Sequence, residues 1–106
     1  MKDGIYFVVF KSNNLAAGSG TVVVNGNAVN GGDFAYSYKG RANGNAVTLV
    51  VEKHNKTATS VFGDVNKFNL ILTAAETPHG YLISGNMEGI PSAQIQIDAK
   101  FIGDLL

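Results

Sequence analysis

Chemistry in this chain would have to start from two histidines, a few serines beside glycine, and eight carboxylates. His54 follows Glu52 and Lys53 in a strand-like run, and His79 sits in "TPHGY" at a turn. Neither His-x-His nor His-Glu-x-x-His spacing is present, so no metal ligand set is expected. A serine nucleophile would need a Gly-x-Ser-x-Gly elbow between a strand and a helix. Ser19 in "GSG" (Gly18 to Gly20) and Ser84 in "ISGN" (Ile83 to Asn86) lack it. "GSGTVVVNG" opens like a phosphate loop, but the run that follows is a strand, with no helix dipole to meet an anion. Asp3, Asp33, Glu52, Asp64, Glu76, Glu88, Asp98 and Asp104 place no two carboxylates at period-two spacing on one strand, which argues against an acid/base pair. Without cysteine there is neither a disulfide framework nor a thiolate metal centre. The expectation is a non-enzymatic protein with no catalytic residues, no metal and no cofactor.

The elements that carry these residues must fit in 106 residues, the length of one domain spanning 1–106. Eight basic residues balance eight acidic ones, and the charged fraction of 15% lies below the roughly 25% usual for globular domains. With no basic excess, direct nucleic-acid binding is not expected. The apolar run Ile5 to Phe10 is too short for a signal-peptide core or a membrane span. Cytoplasmic residence is therefore expected, and the sequon Asn55-Lys56-Thr57 reads as a chance match.

The repeating signal along the chain is strand, then turn. Phe34, Tyr36 and Tyr38 alternate with Ala35, Ser37, Lys39 and Arg41; Ala93, Ile95, Ile97, Ala99 and Phe101 alternate with Gln94, Gln96, Asp98 and Lys100. Thr21 to Val24, Ala46 to Lys53, Lys67 to Ala75 and Tyr81 to Met87 are β-branched or aromatic runs bounded by Gly, Asn or Pro. Ala28 and Val29 seed a short additional strand, for eight in all. The best helical stretch, Thr73 to Thr77, is stopped by Pro78 and Gly80 at about one turn. "NGNAV" occurs at Asn25 to Val29 and again at Asn43 to Val47, and each copy reads as a hairpin tip with Asn-Gly in the central positions of a type I′ turn.

Eight antiparallel strands form a sandwich or a closed barrel, and short sequential hairpins favour the barrel, which leaves no exposed edge. The predicted fold is all-β: an eight-stranded antiparallel up-and-down barrel with at most one short helical turn. Such an interior is filled by side chains or holds one small ligand. Tyr36, Tyr38, Phe68 and Tyr81 are candidate lining residues, with plain core as the competing reading. Ile5 to Phe10 is apolar on both faces, so one face lines the barrel and the other needs cover. A homodimer is the simplest cover, with Tyr6, Val8 and Phe10 as interface candidates; a flanking loop or Leu105-Leu106 is the alternative.

The opening "MKDGIYFVVFKSN", the stretch "GSGTVVVNGNAVNGGD" ending at Asp33, "YSYKG" (Tyr36 to Gly40) and "IDAKFI" (Ile97 to Ile102) occur in an order and spacing that resemble the GrlR family of negative regulators of type III secretion gene expression. Met1 to Tyr6 and Gly31 to Asp33 are the most specific parts. The resemblance implies a dimeric lipocalin-like barrel with an apolar cavity that binds a helix-turn-helix transcriptional activator without catalysis. It also implies a partner-binding loop just after "YKGRA", where the characterised regulator carries four consecutive acidic residues. Here Arg41 is followed by Asn43, Gly44, Asn45 and Ala46, none of them acidic. The expected function is regulation by protein-protein contact with a transcriptional activator. The alternative is a barrel that binds a lipid, fatty acyl chain or other small apolar ligand as carrier or sensor.

Overall fold

Alternating side chains give each strand an apolar inner face and a more polar outer one, and eight such strands close on themselves. The computed structural model describes residues 1–13, 17–57 and 66–106. The strands are β1 (Gly4–Ser12), β2 (Ala17–Asn25), β3 (Ala28–Gly32), β4 (Tyr36–Asn43), β5 (Ala46–Lys53), β6 (Lys67–Thr77), β7 (Gly80–Met87) and β8 (Ile90–Gly103). Each pairs antiparallel with the next, and β8 returns to pair with β1, completing an up-and-down barrel. Val24, Val47 and Tyr6 are the largest fully buried side chains.

No helix occurs among the described residues. Thr73 to Thr77 continues β6 up to its hairpin, where Thr77 pairs with Gly80. Ala74 is buried in line with Leu70 and Leu72, so packing on the inner face outweighs alanine's helix preference. Pro91 falls where the β7–β8 register jumps from Asn86↔Gln94 to Met87↔Ile90, an irregularity that tolerates a residue with no N–H to give.

The face of β1 assigned to a partner is corrected by its parity. Tyr6 and Val8 are buried, and Phe10 is half-buried and packs against the core. Phe7, 41% exposed, and Val9, 47% exposed, point outward instead. Phe34 also departs from expectation: it precedes β4 and is 77% exposed, because Asp33 turns the chain before the strand begins.

Both copies of "NGNAV" are hairpin tips, but the turn sits one residue later than expected. Asn25 pairs with Ala28 and Asn43 with Ala46, so the central residues are Gly-Asn rather than Asn-Gly. In the first copy Gly26 and Asn27 both take positive φ, 59° and 72°, the signs of a type I′ turn. In the second only Gly44 does, at 62°, which are the signs of type II′. Inside the strands, Gly40 and Gly85 mark close backbone approaches: a Cβ would lie 1.8 Å from the Thr48 carbonyl oxygen and 2.0 Å from that of Ile71. Glycine is what lets these strands coil tightly enough to close the ring.

Candidate functional site

The inner faces do not fill the barrel. They enclose a cavity of about 290 Å³, lined mostly by valine, leucine, isoleucine and aromatic side chains. It extends to the barrel end that carries the β3–β4 connection, where the exposed Phe34 forms part of its wall. That end is organised by Asp33. Its Oδ1 accepts the backbone N–H groups of Ala35 and Tyr36, each at 2.7 Å, an Asx turn that fixes the three-residue connection. Its Oδ2 accepts the Tyr38 hydroxyl. Outside, His54 Nε2 lies 2.8 Å from the Asp33 carbonyl, and the His54 N–H donates to Ala35 O at 2.9 Å. The connection is thus tied to both β4 and the end of β5.

Burial, the hydrogen bond to Asp33 and the negative charge there all hold the Tyr38 phenol protonated well above the ordinary tyrosine range. At the opposite end Tyr6 donates to the Lys2 carbonyl at 2.6 Å, and the Lys2 N–H donates to the Tyr81 hydroxyl at 3.0 Å. Asp3 there accepts the Gly26 N–H at 3.1 Å. Burial, helped by Tyr81 and Asp3, pushes the Tyr6 pKa up from 10.0 to about 12.

Of the four residues expected at a cavity, Tyr36, Tyr38 and Phe68 line it. Tyr81 does not; it packs against Tyr6 at the far end, ring centroids 6.0 Å apart. Phe10, expected at an interface, lines the cavity and meets Tyr38 edge-on at 6.2 Å. Arg41, Asn43, Gly44, Asn45 and Ala46 are exposed together at the β4–β5 hairpin. In the sequence Asp33 stood out as an unpaired carboxylate and as the end of the Gly31 to Asp33 match, not as a loop anchor; "GGDFAY", with acceptor, two residues and then a strand, is the Asx-turn pattern that marks it.

Among the described residues no buried side-chain polar atom lacks a partner, and no three His, Cys, Asp or Glu side chains gather as a metal site. Nor is any helix there long and apolar enough to cross a membrane. The barrel's faces, apolar within and largely polar without, are ordered oppositely to those of a barrel with a lipid-facing exterior. What the interior can do chemically is solvate an apolar molecule. No protein-family model matches this chain, and no curated protein matches it.

Proposed function

We propose that this protein binds a small apolar molecule inside the barrel and works without catalysis, as a carrier or sensor. The observation that carries the reading is the apolar cavity of about 290 Å³, close to the lower size of small-molecule sites. Ordinary interiors pack with few voids larger than a water molecule, so an unfilled space of this size is a feature that needs an occupant or a reason. The neutral dye Nile red tests it. Saturable one-to-one binding with a fluorescence gain is expected, and Val51→Phe, which puts a ring into the cavity, should abolish it while leaving the circular dichroism unchanged. Undiminished binding by a folded Val51→Phe protein would place the dye outside the barrel and end the reading.

A second reading draws on the outer face of β1, where Ile5, Phe7 and Val9 form an apolar row. It supports a protein contact, and with it the GrlR-type regulator: a cytoplasmic homodimer that holds a transcriptional activator. The neutral Asn43 to Ala46 turn offers a basic partner no charge complement, so the β1 row favours the homodimer contact and leaves the activator to another surface. Native mass spectrometry of the protein isolated from its host's cytosol separates the two readings. A fixed-ratio complex with a DNA-binding protein supports regulation, whereas a dimer with a small apolar adduct and no protein partner supports carriage.

A further inference from the structure

We propose that the cavity selects ligands with an apolar body and a cationic head, an amphipathic amine or quaternary ammonium, seated with the head at the Asp33 end. This rests on the apolar-ligand reading and names its ligand class. The wall's side chains carry charge of one sign; Met1, which also lines it, brings an amino terminus. Asp33 is its one charged lining side chain among the described residues, and no lysine, arginine or histidine lines it. The sequence of 14–16 and 58–65 contains none either.

Asp33 is satisfied but not neutralised. Its partners are two backbone N–H groups and the Tyr38 hydroxyl, three bonds for about four acceptor positions on a carboxylate. These partners are all neutral donors, so a cationic head would be a complementary partner for the carboxylate. Five aromatic rings line the cavity with it: Phe10, Phe34, Tyr36, Tyr38 and Phe68. Phe10 meets Tyr38 at 6.2 Å with planes at 88°, and Tyr36 meets Phe68 at 6.0 Å with planes at 57°. Aromatic rings and a carboxylate in one wall are the groups that recognise alkylammonium ions. One of these rings already attracts a cation: the Lys53 ammonium lies 5.9 Å from the Tyr36 centroid. A fatty-acid carboxylate at the same end would instead meet a like charge in low dielectric.

The test uses the whole chain and three probes of one length, decyltrimethylammonium, decanol and decanoate, each displacing Nile red below its micelle concentration. The ammonium should displace at concentrations about tenfold below the alcohol's, with decanoate weakest. In Asp33→Asn, whose carbonyl oxygen can still accept the two N–H groups, the ammonium-to-alcohol ratio should collapse toward one. Equal displacement by ammonium and alcohol in wild type overturns the proposal. So does tightest binding of decanoate, which would make Lys53 the head-group partner. Either result leaves the apolar-ligand reading standing, whereas failure of Nile red itself to bind removes that reading. The wild-type ranking decides the matter even if Asp33→Asn does not fold.

Discussion

Asp33 holds a loop, a phenol and a cavity wall with one carboxylate. Removing it strands two N–H groups and a hydroxyl, so Asp33→Ala should lower stability by about 2 kcal/mol, while Asp33→Asn should cost clearly less. Urea unfolding measures both, and equal losses would show that charge, not acceptor geometry, holds the loop. The tyrosines add a pH dependence. Between pH 10.0 and about 12 the unfolded chain gives up a phenol proton that native Tyr6 keeps, and Tyr38 is shifted in the same direction. The unfolded state then binds fewer protons, so stability falls as pH rises through this window and is fully present below it. Tyr6→Phe and Tyr38→Phe should each flatten the decline in denaturation midpoints measured from pH 8 to 12. A slope the same as wild type in both would assign the alkaline loss to other groups.

The strands were legible because β-branched and aromatic runs alternate with turn residues, and β5 matches its expected bounds, Ala46–Lys53. The hairpin tips were legible as places but not in register. "NGNA" contains both Asn-Gly and Gly-Asn, and local preference does not say which pair forms the tip; pairing of Asn25 with Ala28 across the sheet does. The face of β1 followed from parity only once Tyr6 was fixed inside. Whether the inner residues meet or leave a gap depends on barrel geometry, which no single strand encodes. The two turns give an internal control. Asn27 sits at φ 72°, whereas Asn45 takes no positive φ. Asn27→Ala should therefore cost about 1 kcal/mol and Asn45→Ala only a few tenths, read by chemical denaturation. Equal effects would mean that both copies form the same turn in solution. In the strand interior, Gly40→Ala should cost about 2 kcal/mol or more, since its methyl group would overlap backbone rather than a mobile side chain.

At the scale of the molecule, closure governs how copies can associate. Among the described residues every strand is paired on both sides, so none of these strands offers a free edge for strand addition. A dimer must form through side chains, and the outer row of β1 is the apolar surface on which the proposed homodimer rests. Phe7 stands beside Lys100 and Val9 beside Asp98. Phe7→Glu should convert the dimer to monomer in sedimentation velocity at tens of micromolar, with the fold intact by circular dichroism. A dimer that survives the change would use another face.

The pairing of Ile5 with Gly103 makes the chain a ring of hairpins cut at one place. Nothing in the ladder of hydrogen bonds marks that cut as necessary. If the present ends were joined by a short linker and the chain reopened at Gly44, every neighbour relation of the barrel would survive. Sequence distance would be redistributed: β1 and β8 would become a local hairpin, and β4 and β5 the most remote pair. Because loop closure sets how soon distant strands can meet, such a permuted chain should reach the same barrel by a different order of assembly.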